Sequence, residues 1–141
     1  MDRKDFFAAL GISTAALALV NCIGCSAKGD QAIQPATPPT GIDFTLDLKA
    51  SANAPLLTNG GYIASNSLLV ARTLSGTYIA VQQSCTHQSY PLQYDGNNHQ
   101  FLCNNHGATF NETGTVTRGP ASTSLVTYKT QLTGSSLRIY S

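Results

Sequence analysis

Apolar and polar residues alternate along residues 42–48, where Ile42, Phe44, Leu46 and Leu48 are separated by polar side chains. Because successive side chains of a strand point to opposite faces of a sheet, this period of two predicts a β-strand with one buried face. Further short apolar segments predict strands at 67–72, 77–83, 99–103, 114–118, 124–131 and 136–140. No stretch after residue 30 has a sustained helical period.

Turn-forming residues separate these predicted strands. They occur at Asn59-Gly60-Gly61, Ser75-Gly76, Asp95-Gly96-Asn97-Asn98, Glu112-Thr113-Gly114 and Thr133-Gly134. Gly and Asn readily adopt the left-handed backbone conformations of tight turns, so each cluster can end one strand and let the chain reverse direction. Many short strands at this spacing predict an all-β fold, a small antiparallel β-sandwich or barrel.

The chain has few charged residues and almost no net charge. Only 11% of its 141 residues are charged, and the formal net charge is +1. Proteins that bind nucleic acid need a basic surface to neutralise phosphates, so the composition gives no electrostatic reason to expect nucleic acid as a partner. The length indicates a single folded domain.

Residues 1–24 have the pattern of an export signal. Charged residues at 2–5 precede a short apolar run at 8–20. The pair Arg3-Lys4 resembles the start of a twin-arginine signal in which Lys replaces the second Arg. The apolar run is shorter than the roughly eighteen residues that a membrane-spanning helix requires.

Two cysteines end this apolar run, where a lipoprotein signal places the residue to be acylated. Cys25 follows Gly24, a small residue that suits a cleavage site, so Cys25 is the predicted lipid anchor and Cys22 is the alternative. A lipid at this position would attach the protein to a membrane surface without a spanning helix. A plain secretory signal and a metal-binding cysteine pair are the other interpretations.

Residues 25–41 predict a tether between the anchor and the domain. Pro35, Pro38, Pro39 and Gly41 lie within it. Proline lacks an amide donor and biases its neighbours toward extended conformations, so the tether is expected to be partly stiff. The folded domain is accordingly predicted to extend from residue 42 to residue 141.

Two pairs of cysteine and histidine residues form the candidate site. One residue separates Cys85 from His87, two separate Cys103 from His106, and fifteen residues lie between the pairs. Thiolate and imidazole are ligands of zinc, copper and iron, and four of them complete one tetrahedral site or a binuclear iron–sulfur centre. Structural zinc sites usually space their ligands differently, although a zinc site and an unbridged structural cysteine pair remain alternatives.

The spacing resembles that of the Rieske [2Fe-2S] family, whose pattern is C-x-H followed by C-x2-H. The resemblance covers roughly residues 60–141. It implies one [2Fe-2S] cluster per chain, bound by two loops at one tip of the fold. It also implies that Cys85 and Cys103 bind an inner iron, whereas His87 and His106 bind an outer, more exposed iron.

Three further features belong to this resemblance or limit it. Gly107 follows a predicted ligand and is expected to let backbone amides approach the cluster sulfides. The segment Gly119-Pro120-Ala121 is similar to the proline loop that covers the cluster in the family. His99, the third histidine of the chain, lies outside both pairs and is expected to be an exposed surface residue.

Four residues depart from the Rieske proteins of respiratory cytochrome complexes. Tyr90 and Asn105 occupy the positions of two additional cysteines in those proteins, so no disulfide is expected to join the two loops. Ala108 and Phe110 occupy the positions of a Ser and a Tyr whose hydroxyls donate to sulfur. Loss of these donors predicts a lower reduction potential, and the four residues resemble those of Rieske ferredoxins.

The expected function is one-electron transfer at the outer face of a membrane. The partners would be a redox donor or acceptor protein and, through the N-terminal lipid, the membrane; the chain is not expected to be an enzyme by itself. One alternative is a small Rieske subunit of a larger oxidoreductase complex. Another is a non-redox, zinc-binding surface lipoprotein, which would be colourless and would have no paramagnetic reduced state.

Overall fold

The structure is a computed structural model that describes residues 36–141. The predicted export signal, most of the predicted tether, and both Cys22 and Cys25 lie outside the described residues. Within residues 36–141, no helix is both long and apolar enough to cross a membrane.

Six antiparallel strands form the larger of two sheets. In spatial order they are β1 (Asp43–Asp47), β10 (Ser136–Tyr140), β9 (Thr127–Thr133), β4 (Tyr78–Gln82), β3 (Leu68–Arg72) and β2 (Tyr62–Ser65). A 3-10 helix at Ser51–Leu57 connects β1 to β2. The first and last strands of the domain therefore pair with each other at one side of this sheet.

The smaller sheet is inserted in the chain between β4 and β9. It contains β5 (Gln93–Asp95), β6 (Gln100–Cys103), β7 (Ala108–Asn111) and β8 (Val116–Arg118), which pair in chain order. A short 3-10 helix at Gly96–Asn98 turns the chain between β5 and β6. The predicted site residues all lie in this insertion, at the end of the small sheet opposite that turn.

Strand β3 is buried on both faces and separates two hydrophobic cores. Leu68 and Val70 pack in one core with residues of β1 and β10, whereas Leu69 and Ala71 pack in the other core with residues of the small sheet. Side chains of a strand alternate between faces, so this single strand contributes to both cores. The small sheet is thus attached to the large one by apolar packing as well as by the chain.

The predicted all-β class is confirmed, and the alternation at residues 42–48 corresponds to β1 with Leu46 and Leu48 buried. Three strands were not predicted: β2, β5 and β7. Strand β2 joins β3 through Asn66 and Ser67, which both have positive φ although neither is glycine. Two of the predicted strands begin more than one residue later than expected: β8 starts at Val116 and β9 at Thr127.

Residues 36–41 precede β1 and already contact the domain. The amide of Ala36 donates a hydrogen bond to Oγ of Ser89, and Oη of Tyr128 donates to the Pro39 carbonyl at 2.6 Å. The contact of Ala36 with Ser89 brings the start of the described chain to the loop that carries the first cysteine–histidine pair.

Leu56 and Leu57 are neighbours with opposite exposure, which allows a matched stability test. Leu56 is fully buried and Leu57 is 56% exposed. Leu56→Ala is expected to lower the free energy of unfolding by about 2–5 kcal/mol because it leaves a cavity in the core. Leu57→Ala should change it by less than about 0.5 kcal/mol. Denaturant titration measures both, and equal effects would contradict the described packing.

Candidate metal centre

The first loop, residues 84–92, connects β4 to β5 and carries Cys85 and His87. The amide of Cys85 donates to the Tyr90 carbonyl at 2.8 Å, and the amide of Ser89 donates to the Cys85 carbonyl at 2.9 Å. Where the loop ends, the amide of Leu92 donates to the Gln83 carbonyl at 2.8 Å. These bonds fold the loop into a tight turn, in which Cys85 is buried at the base and His87 is closer to the surface.

The second loop, residues 104–107, is a short connection between β6 and β7. Cys103 ends β6 and pairs with Ala108, the first residue of β7. The amide of Gly107 donates to the Cys103 carbonyl at 2.9 Å. Gly107 has φ +76°, which explains the glycine, since L-residues rarely adopt this conformation. No described protein atom lies within 4 Å of the Cβ that another residue would add there, so conformation rather than crowding requires this glycine.

The two predicted thiolate ligands lie together in the hydrophobic core. Cys85 and Cys103 are 0% and 2% exposed, and neither forms a disulfide. Burial raises the pKa of the Cys85 thiol, the neighbouring Cys103 thiol raises it further, and hydrogen bonds from the amides of His87 and Gln88 lower it. A metal ion binds thiolate rather than thiol, so loading the site would release protons from this pair.

The two predicted imidazole ligands lie together nearer the surface. The ring centroids of His87 and His106 are 4.9 Å apart and their planes are nearly perpendicular, at 84°. His106 is exposed and His87 is half-buried. Nδ1 of His87 is buried and has no hydrogen-bond partner among the described residues. A buried nitrogen without a partner is costly, and a metal ion would satisfy it.

The arrangement of these four side chains fits a binuclear iron–sulfur cluster. The thiols are paired in the core and the rings are paired nearer the surface, so each half of the site supplies two ligands of one chemical type. A Rieske centre uses two cysteines on one iron and two histidines on the other. Among residues 36–141, no three His, Cys, Asp or Glu side chains are grouped as ligands of a single metal ion.

A third segment, residues 118–126, lies beside the first loop. Oγ1 of Thr86 donates to the Thr123 carbonyl at 2.6 Å, across 37 residues of sequence. Within this segment Gly119 and Pro120 are exposed, and Ala121 is buried in the core that contains both thiols. The segment that resembles the proline loop is therefore attached directly to the residue between Cys85 and His87.

Non-covalent contacts connect the two loops, which have no disulfide between them. Nδ2 of Asn104 in the second loop donates to Oε1 of Gln93 at 2.7 Å, just after the first loop. The Tyr90 ring lies edge-on to His106, with centroids 6.3 Å apart. Tyr90 occupies the position of a cysteine in the respiratory Rieske proteins, and here it contacts one of the predicted ligands.

Ala108 and Phe110 lie in the core next to the thiols, as their positions in the sequence suggested. Both are fully buried, and both belong to the core that contains Cys85 and Cys103. Neither side chain has a hydrogen-bond donor. The two positions therefore contribute apolar side chains to the core that contains the thiol pair.

Gln82 was not identified from the sequence, although it organises the start of the first loop. It is 2% exposed, its Nε2 donates to the Ser84 carbonyl at 2.8 Å, and its Oε1 accepts from the Val126 amide at 2.8 Å. The one local signal in the sequence is the glutamine itself, which ends an otherwise apolar strand and so indicates a buried polar side chain.

His99 lies away from the site, as predicted. Its side chain is 60% exposed, and its Nδ1 lies 3.2 Å from Oε1 of Glu112. The same carboxylate oxygen accepts a hydrogen bond from Oη of Tyr94. These residues lie toward the β5–β6 turn, at the opposite end of the small sheet from the two loops.

Comparison with known proteins agrees with this geometry. The family model for the Rieske [2Fe-2S] domain matches residues 47–129. No curated protein matches the chain significantly.

Solved structures share the fold. The cyanobacterial plasma membrane Rieske protein PetC3 from Synechocystis PCC 6803 is 28% identical, over 75% of this chain and 100% of that chain, with a TM-score of 0.51. The Sphingomonas yanoikuyae B1 ferredoxin is 24% identical, over 60% and 88% of the two chains, with a TM-score of 0.52. The ferredoxin of carbazole 1,9a-dioxygenase from Nocardioides aromaticivorans IC177 is 17% identical, over 74% and 98%, with a TM-score of 0.56.

We expect all four predicted ligands to be essential for cluster binding, because the cluster takes one ligand from each position: Cys85, His87, Cys103 and His106. Replacing any one of them with Ala should abolish bound iron, acid-labile sulfide and visible absorbance. His99→Ala is the matched control and should leave all three unchanged. Full iron and sulfide content in Cys103→Ala would contradict the ligand assignment.

Proposed function

Because the chain belongs to the Rieske [2Fe-2S] family, we propose that it transfers single electrons through one [2Fe-2S] cluster bound by Cys85, Cys103, His87 and His106. The observations that support these four ligands are the pairing of two buried thiols and the pairing of two histidine rings on the same two loops, with Nδ1 of His87 buried and without a partner among the described residues. When bound, such a cluster accepts and releases one electron reversibly.

Different residues of the chain serve cluster binding in the core and electron exit at the surface. Cys85 and Cys103 would place negatively charged sulfur inside the apolar core, where burial raises the pKa of the Cys85 thiol and the amides of His87 and Gln88 lower it. Hydrogen bonds and burial are the means by which a protein adjusts the potential of such a centre. His106 is exposed, so its ring is the shortest route from the site to a redox partner.

The partner is a redox protein, and the chain is a carrier rather than an enzyme by itself. One solved relative is the ferredoxin of a dioxygenase, which supports a separate carrier. The alternative, a small subunit of a larger oxidoreductase complex, predicts that the protein copurifies with that complex. A carrier should instead purify alone.

We place the protein outside the cytoplasm, attached to the outer face of a membrane by a lipid on Cys25. The support is the pattern of the N-terminal sequence, together with one solved relative that is described as a plasma membrane protein. Mass spectrometry of the mature protein decides between Cys25, Cys22 and an unmodified terminus.

The purified full-length chain tests the electron-transfer proposal directly. We expect a coloured protein with equal amounts of iron and acid-labile sulfide, and a low-temperature EPR signal that appears on one-electron reduction. The zinc alternative predicts a colourless protein without that signal. Stoichiometric zinc in place of iron would overturn the proposal.

Ala108 and Phe110 lack the hydroxyl groups of the Ser and Tyr at these positions in respiratory Rieske proteins, and this difference leads to a prediction about the reduction potential. A hydrogen bond to a charged acceptor contributes about 1.5–3 kcal/mol, but only its difference between the two redox states shifts the potential. Ala108→Ser is expected to raise the potential by about 59 mV, which corresponds to about 1.4 kcal/mol for one electron, and adding Phe110→Tyr should raise it further. Protein-film voltammetry measures both variants.

Matched substitutions in the other core are the controls. Ala80 is a buried alanine and Phe44 is a phenylalanine packed against that core, away from the two thiols. Ala80→Ser and Phe44→Tyr should therefore leave the potential unchanged. An unchanged or lower potential in the double variant at residues 108 and 110 would show that these side chains do not face the cluster sulfurs.

A further inference from the structure

The surface around the two histidine rings is almost free of charge. Three segments surround the site, residues 84–92, 103–108 and 118–126, and Arg118 is the one formally charged side chain in them. We call the exposed residues of the two ligand loops the tip face: Tyr90, Pro91, Asn104, Asn105 and His106. Two asparagine amides, a proline, a tyrosine ring and the His106 imidazole make up this face.

The other charged side chains of residues 36–141 lie on other elements. Asp43 pairs with Arg138 across β1 and β10. Asp95 caps the turn at Gly96–Asn98, and Glu112 contacts His99 near that turn, which is at the end of the small sheet opposite the tip face. The remaining ones are on the large sheet or its connections: Asp47, Lys49, Arg72 and Lys129. Among the described residues, none of the charged side chains is therefore part of the tip face.

Tyr90 provides an aromatic side chain in the tip face. It is 39% exposed, although its ring contacts His106 at a centroid distance of 6.3 Å. Tyrosine is enriched at protein interfaces because it contributes a large contact area at a small cost in conformational entropy. Its position next to an exposed predicted ligand means that a protein covering Tyr90 also covers the route of electron exit.

The ligand set adds no charge to this face in the oxidised state. Two ferric ions, two sulfides, two thiolates and two neutral imidazoles sum to zero net charge, and reduction adds a single negative charge. In the oxidised state an approaching protein thus meets an uncharged surface over an uncharged centre.

We propose that the tip face, with Tyr90 in it, is a docking surface for a redox protein whose own docking face is uncharged. This inference rests on the proposed electron-transfer function. Removal of the Tyr90 ring and neighbouring surface from water stabilises the complex, whereas ionic attraction contributes little. Encounter without electrostatic steering proceeds at about 10⁵–10⁶ M⁻¹s⁻¹, and its rate does not depend on salt.

Electron self-exchange between two copies of this protein tests the inference with a partner of known surface. In this reaction the reduced cluster of one molecule gives one electron to the oxidised cluster of another, and no bond is formed or broken. NMR line broadening in partly reduced samples measures the rate. Between about 10 mM and about 500 mM salt the wild-type rate is expected to change by less than about twofold, because the product of the tip charges is close to zero.

A charge placed on the tip face should create a salt dependence. In Tyr90→Glu both molecules carry an added negative charge at the contact, so the rate should fall about fourfold at low salt and recover at high salt. Leu132→Glu makes the same change in net charge at the far end of β9, where Leu132 is 50% exposed, and should have no effect.

The outcomes separate this inference from the function on which it rests. A wild-type rate that changes steeply with salt would overturn the uncharged docking face, as would equal responses to Tyr90→Glu and Leu132→Glu. A stable dimer through the tip face, seen as a concentration-dependent mass, would also overturn it, because the face would then be occupied by a second copy. A protein that carries no cluster would instead overturn the proposed function.

Discussion

The buried side chain of Gln82 joins the two ends of the inserted small sheet. The insertion leaves the large sheet after β4 and returns before β9, and these strands pair at only two positions. Gln82 donates to Ser84 at the exit and accepts from Val126 at the return, and its own amide also donates to the Val126 carbonyl at 3.0 Å. A buried amide that loses its partners costs about 1–3 kcal/mol, so the two ends are held next to each other. The first loop begins there, and the position of Cys85 follows from it.

The sequence predicted elements whose signal is local. Strand β1 has one solvated face and alternates, whereas β3 is a continuous apolar run because both of its faces are buried. Strand β5 has three residues, too few to establish a period, and the turn before β3 lacks glycine, which hid β2. The four candidate ligands could be proposed from the sequence because short spacings of Cys and His are a local pattern. The bond from Gln82 to Val126 crosses 44 residues, and that from Thr86 to Thr123 crosses 37, so neither leaves a local pattern.

The two ligand loops depend on packing and hydrogen bonds for their relative position. A disulfide restricts the unfolded chain and so stabilises the folded state, whereas the Asn104–Gln93 hydrogen bond and the Tyr90–His106 contact act only in the folded protein. A hydrogen bond of this kind contributes about 0.5–1.5 kcal/mol. A bound cluster would itself connect the loops, because its ligands come from both, and it stabilises the folded state by linkage. Cluster binding and loop order are therefore expected to depend on each other strongly in this protein.

The ligand set and the low charge of the chain are consistent with each other. Four thiolates on two ferric ions and two sulfides would leave two negative charges in the core, and such charges require nearby cations or many donors. Replacing two thiolates with neutral imidazoles removes both charges in the oxidised state. The three segments around the site contain only Arg118 as a cation. A two-cysteine, two-histidine centre is thus one that this sparsely charged domain can bury without a compensating ion pair.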